Sequence, residues 1–326
     1  MNRNEQLKIG AGQALGAAPG HKRLVLISAG VSAGASLLVA LLGFLLDTGI
    51  AQTGGLSGMG LRSLLTTAQS LLSMALSLLL PFWEAGYTAA MLAVAKAQRP
   101  DTDTLLTGFR RFGPLLRLQL LTGLLTFGIT VLCANIGAVL LSLTPLAAPM
   151  YEQMLPLMEQ GSFDPTAIDP AAMEAVMEAG MPVIWATSAL CVAALIPVSY
   201  FLRLATVRLL DAPKQGARAA LLVSYQLMRG NCLRLFKLDL SFWWFYLGQL
   251  AVLLLSSCDV LLPALGIRLP FDGTVAFFAF YALGLGLQLA LFYLCRNRVE
   301  VTYARFYLDL LPKDTDRPGD QTRSTQ

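Results

Sequence analysis

Charge is scarce in this chain. Only 13% of its 326 residues are Asp, Glu, Lys or Arg, about half of the roughly 25% usual in a soluble domain. With so few charges to cover the apolar surface, that surface must meet lipid, and a water-soluble fold is excluded. Histidine is rarer still: His21 is the only one, which removes the commonest general base. The five cysteines (Cys133, Cys191, Cys232, Cys258, Cys295) are scattered without a CxxC pair. Most fall in or beside apolar runs and read as small core residues, not disulfides or metal ligands. No P-loop string, no HExxH and no GxGxxG after a strand occurs, so no catalytic set, no metal site and no cofactor is expected. Lys and Arg are missing altogether from residues 144–180, the longest polar stretch, which instead carries Glu152, Glu159, Asp164, Asp169, Glu174 and Glu178.

What the chain has in abundance is apolar length. It is 56% hydrophobic, with a mean hydropathy of +0.61. Six runs stand out, over residues 24–46, 61–97, 114–143, 181–202, 238–262 and 274–295. About 20 helical residues cross a hydrocarbon core of about 30 Å. The first run exceeds the roughly 7–15 residues of a signal-peptide core and reads as a transmembrane helix. Its Gly30 and Gly34 form a GxxxG face that permits close helix approach. The second is too long for one straight span; Pro81 should kink it, and tilt or a surface extension absorbs the excess. Residues 1–23 read as a helix lying on the cytoplasmic surface, residues 98–112 as a polar loop with a short amphipathic piece, and residues 312–326 as a disordered tail. The stretch Lys214–Tyr246 passes from a basic amphipathic segment into Phe242, Trp243, Trp244, Phe245 and Tyr246, and is read as a continuous entry into the bilayer.

Orientation follows from the cations. With the N-terminus cytoplasmic, all 24 Lys and Arg residues except Arg62 and Arg268 lie inside. The expected fold is therefore all-α: a polytopic membrane helix bundle of about six transmembrane helices, with amphipathic cytoplasmic segments and both termini cytoplasmic. The domains are a cytoplasmic segment (1–23), a transmembrane domain (24–311) and the tail (312–326). A faint internal echo pairs FRRFGPLLRLQLL with LMRGNCLRLFKLDL, and GYTAAMLAVAK (from Gly86) with VTYARFYLDL (from Val301). It fits either a duplicated two-helix unit or the general likeness of basic re-entry segments.

Several segments together resemble a known family. They are Tyr225-Gln-Leu-Met-Arg-Gly230, Arg234-Leu-Phe-Lys-Leu-Asp-Leu-Ser-Phe242 and Tyr303-Ala-Arg-Phe-Tyr307, with PFWEAGYTAAMLAVAK, GFRRFG and the start MNRNEQLKIGAGQAL. The chain resembles the bacterial integral membrane proteins grouped as domain of unknown function 975. It departs from them in Trp243-Trp244 and in the long acidic connection. The resemblance implies a multi-span fold in a bacterial cell membrane, and no activity.

The candidate residues are few. Glu84 lies 12 positions before Lys96, roughly 18 Å along a helix from the inner charged end. An acid at that depth costs on the order of 2.5–3.5 kcal/mol, so it must be neutral, paired or facing water. It suits a proton, ion or substrate site, or a structural bond to Gln249, Gln288 or Asn135. Asp239, just inside the fifth run beside Lys237, reads as an ion pair setting helix register, with Arg117 and Arg203 as candidate partners, or as a gate. Arg218, Arg229, Arg234 and Lys237 are candidate contacts for anionic headgroups, each worth about 1 kcal/mol near the surface; topology alone also accounts for them.

Two methionine rows, Met150/Met154/Met158 and Met173/Met177/Met181, each line one helix face. They fit two short helices lying apolar face down on the membrane better than a Cu(I) site. Gly30-Val-Ser-Ala-Gly34 and Gly55-Leu-Ser-Gly58 mimic serine-hydrolase strings. The first sits inside an apolar helix instead of at a strand-to-helix elbow. The second has no histidine on its side of the membrane.

The expected function is thus non-enzymatic: a multi-pass cell-membrane scaffold or interaction protein meeting lipids and other membrane proteins, with no nucleic-acid partner. The alternative is a small-solute or ion transporter with Glu84 in its pathway.

Overall fold

In lipid a backbone N–H or C=O finds no water, and a helix satisfies both internally. The architecture follows that constraint. A computed structural model describes residues 3–52, 56–159, 170–258, 262 and 273–311, and among them there is no strand. The helices are α1 (Arg3–Ala17), α2 (His21–Gln52), α3 (Leu56–Ala95), α4 (Thr102–Leu105), α5 (Thr107–Arg110), α6 (Phe112–Ser142), α7 (Ala148–Glu159), α8 (Pro170–Leu202), α9 (Ala205–Asp211), α10 (Gly216–Met228), α11 (Cys232–Leu240), α12 (Trp243–Ser256), α13 (Gly273–Leu291) and α14 (Asn297–Leu310). A π-helical turn, Phe292–Arg296, joins the last two. The tail after Leu311, residues 160–169 of the acidic connection and the side chains of Gly55–Gly58, Arg62, Met158, Met173 and Arg268 lie outside the described residues.

Five helices are long and apolar enough to cross a membrane: His21–Phe44, Thr66–Ala95, Phe112–Ser142, Glu174–Asp211 and Val275–Leu310. A sixth span is made if the pair α11–α12, bent by 66°, counts as one. The protein is a polytopic all-helical membrane bundle.

Its contacts divide it into two compact units. The first comprises residues 1–115, 206–216 and 233–326. Within it α2 packs on α3, α12 on α13, and α14 on both α1 and α3. The core gathers on α14, where Val299, Val301, Ala304, Phe306 and Tyr307 are buried with Thr302 and Asn297. The two echoing segments, GYTAAMLAVAK and VTYARFYLDL, lie on the mutually packed helices α3 and α14.

Residues 98–112 are more ordered than a polar loop. Asp101 accepts from the Thr102 amide at 2.7 Å, and Thr104 accepts from the Asp101 amide at 3.2 Å, a capping box that starts α4. The α4–α5 pair then lies on α3 through two glycines. A Cβ on Gly86 would fall 1.8 Å from the Leu105 carbonyl oxygen, and one on Gly108 would fall 1.8 Å from that of Phe82. Only residues without a Cβ allow this approach. Phe82, 1% exposed, stacks on Phe112 at 4.4 Å beside the crossing.

The second unit comprises residues 116–205 and 217–232. Gly137 of α6 meets Leu190 of α8, and α7 packs against α8, with Met150 Sδ against Gly180. On α10, Ala217, Ala220, Ser224 and Met228 form one buried face, and Ser224 donates to the Phe201 carbonyl at 2.6 Å.

Three expectations from the sequence need revision. The fifth run does not enter the bilayer as one straight helix, because the chain breaks at Ser241–Phe242. The break is tied down by tertiary contacts: Lys8 Nζ donates to the Ser241 carbonyl at 3.2 Å and stands 4.6 Å over the buried Phe242 ring. Burial and the nearby Arg298 hold the Lys8 ammonium below its usual pKa. The sixth helix does not stop near Cys295 but runs on through the π-turn to Leu310. The second methionine row does not form a separate short helix; it belongs to the first turns of α8, continuous with the span. The N-terminal helix α1 packs on α14 through its buried Gly10–Ala11–Ala14 face.

Candidate functional site

The site is built where the π-turn meets α3. A π-turn inserts a residue into the helical register and is characteristic of functional positions. Here it directs Arg296, whose side chain is only 10% exposed, onto α3. Its Nη2 donates to Glu84 Oε2 in an ion pair. The guanidinium lies between two rings, 4.5 Å from the centroid of Tyr87 and 4.4 Å from that of Phe292, so cation–π attraction adds to the charge pair. Ser32 of α2 donates to the other Glu84 oxygen at 3.4 Å. One turn earlier Ser28 is fully buried with an unpartnered hydroxyl, and Arg296 Nη1 is also buried without an acceptor. Beneath the pair, Tyr87 donates to Asn297 Oδ1 at 2.6 Å, and Asn297 Nδ2 donates to the His21 carbonyl at 3.3 Å. Helices α2, α3 and α14 are thereby tied at one level.

Glu84 is therefore paired, by a residue 212 positions away, and not by Gln249, Gln288 or Asn135; the Asn135 amide donates to Val131 of its own helix. Asp239, 8% exposed, accepts from the Tyr303 hydroxyl, which also bonds Tyr246 at 2.7 Å. Arg117 on α6 and Arg203 after α8 both belong to the second unit. Of the headgroup candidates, Arg218, Arg229 and Lys237 are exposed. Arg234 is engaged: it pairs with Asp309 at 2.5 Å and lies 5.0 Å over the Phe306 ring.

Two further polar clusters lie in the first unit. Asp211 pairs with Lys96 and accepts from Tyr307 at 2.8 Å, while Arg208 donates to the Tyr307 hydroxyl at 3.2 Å and to Gln215. Asp309 is shared between Arg234 and Arg3, the latter at 2.9 Å. Through Asn297, Tyr303, Tyr307 and Asp309, α14 reaches α3, α11, α9 and α1. Sequence reasoning missed Arg296, Tyr87, Asn297 and Tyr307. The visible signal was a cation that follows Phe292 and Tyr293 with no turn residue between, so the helix had no reason to stop before it. No cluster of His, Cys, Asp or Glu able to hold a metal ion occurs among the described residues.

The family model described as "Protein of unknown function (DUF975)" matches residues 27–314, most of the chain. No curated protein and no solved structure matches.

Proposed function

The chain belongs to the DUF975 family, and we propose that it is a non-catalytic scaffold of the cell membrane, holding lipids or other membrane proteins at its basic face. The observation that carries this reading is the use made of its interior acids. Glu84, Asp211, Asp239 and Asp309 each meet a cation or a tyrosine hydroxyl, and together they lock α14 to its neighbours. These bonds join elements far apart in sequence and set geometry, which is the task of a platform. Exposed Arg218, Arg229 and Lys237 supply charge for anionic headgroups on the side that the charge rule assigns to the cytoplasm. The test is cross-linking in cells followed by detergent isolation. The scaffold reading expects a reproducible membrane-protein partner or an enriched lipid class. A clean monomer carrying bulk lipid counts against it.

A second reading, transport of a small solute or ion past Glu84, draws on one feature. The Glu84 side chain keeps 39% of its exposure, beside the buried unpartnered Ser28 hydroxyl and Arg296 Nη1. Flux into proteoliposomes that Glu84→Gln abolishes, with folding retained, would favour transport.

A further inference from the structure

Away from the Glu84 site, the first unit contains a cavity of 280 Å³ between the C-terminal part of α1, the end of α3 and α14, lined by Gln13, Ala17, Ala97, Gln98, Arg99 and Arg305 among others. Its size is just below the roughly 300–1,000 Å³ of sites for drug-sized ligands, which fits a small polar group. Arg305 gives it its character. A Cβ on Gly10 would lie 1.9 Å from Arg305 Nη1, so α1 is docked at a glycine that leaves room for the guanidinium. Among the described residues no group accepts from Arg305, and its Nε is buried and unpartnered. The acid one turn on, Asp309, is committed to Arg3 and Arg234. A buried N–H left without an acceptor costs about 1–3 kcal/mol, and a ligand oxygen would remove that cost. The lining brings two guanidinium groups and two carboxamides, and no carboxylate.

The position narrows the ligand. Ala18 at the cavity lies three residues before α2 begins at His21, and Ala97 two residues after α3 ends at Ala95. The cavity is thus level with the basic ends of two spans, where headgroups sit. Arginine forks match phosphate oxygens in geometry as well as in charge. The geometry points to a phosphate-binding site, with Arg305 at its base and the exposed Arg99 at its mouth, holding a terminal phosphate either as the monoester headgroup of an anionic lipid or as the free ion. This goes beyond the scaffold reading and does not depend on it.

The experiment uses the full chain in two arms: inorganic phosphate titrated onto detergent-purified protein, and nanodiscs of phosphatidylcholine with and without phosphatidic acid, each read by binding and by thermal shift. Arg305→Gln should weaken phosphate binding about tenfold, and Arg99→Gln severalfold, while Arg110→Gln, at an exposed arginine paired with Asp103, should leave it unchanged. If Arg305→Gln does not fold, the exposed Arg99→Gln carries the test. A response to phosphatidic acid alone identifies a lipid headgroup, and one to inorganic phosphate alone a soluble ligand. No response of the wild type in either arm, or responses untouched by the Arg305 and Arg99 variants, overturns the assignment.

Discussion

Removing Glu84 should cost more stability than its half-exposed position suggests, because the charge left behind is the buried one. Arg296 is only 10% exposed, and Glu84 is the carboxylate it pairs with. Breaking a buried pair from one side costs about 3–5 kcal/mol. Two features reduce this here. Glu84 is 39% exposed, which screens the pair, and the Tyr87 and Phe292 rings retain about 1–2 kcal/mol of cation–π attraction. The expected loss for Glu84→Ala is therefore about 2–3 kcal/mol, a fall of roughly 5–10 °C in Tm at the response of a 150–250-residue domain. Replacing both partners by apolar residues, Glu84→Leu with Arg296→Met, should return to within about 1 kcal/mol of the wild type, since neither charge then needs a partner. The assay is a double-mutant cycle of Glu84→Leu and Arg296→Met on thermal unfolding in one detergent, with Glu84→Ala measured beside it. Additive single effects, or a double variant no better than the worse single, would refute the reasoning and with it the role of the pair as a structural tie.

Other outcomes follow from the packing. Gly86→Ala and Gly108→Ala each place a methyl 1.8 Å from a carbonyl oxygen. Because backbone cannot yield, each should lower stability by about 3 kcal/mol, the upper end of ordinary overpacking, with proteolysis opening first at residues 98–112. Just past α3, Ala97 stands at φ 59°, with the Gln98 amide bonded back to the Ala93 carbonyl at 2.9 Å. Glycine is at ease there, so Ala97→Gly should raise stability by about 1 kcal/mol, read as an increase in Tm. Tyr303→Phe removes a donor from buried Asp239 and should cost about 1–3 kcal/mol; a Tm equal to the wild type contradicts that bond.

The spans were legible in the sequence because hydropathy is a local property of a run of residues. Glu84 was legible for the same reason, as an acid inside an apolar stretch. Its partner was not. Arg296 is 212 positions away and reads as the first residue past a span, and only the π-turn carries it back onto α3. The break at Ser241–Phe242 was hidden because Trp243-Trp244-Phe245 continues the apolar run; the groups that stabilise the break come from Lys8, on another helix. The second methionine row was misread because Glu174 and Glu178 made its stretch read as part of the polar connection, whereas α8 runs from Pro170 straight into the span. Local composition located the membrane segments, while contacts between distant segments determined how their polar residues were used.

The threading itself is tested most directly by reporter fusions truncated after Gln98, Leu143, Lys214, Leu262 and Leu311. A phosphatase that matures only outside the cell should be inactive, active, inactive, active and inactive in that order, with a cytoplasmic reporter giving the complement. Activity after Gln98 and Lys214, or a cytoplasmic position after Leu143, contradicts the assignment of the basic face to the inside.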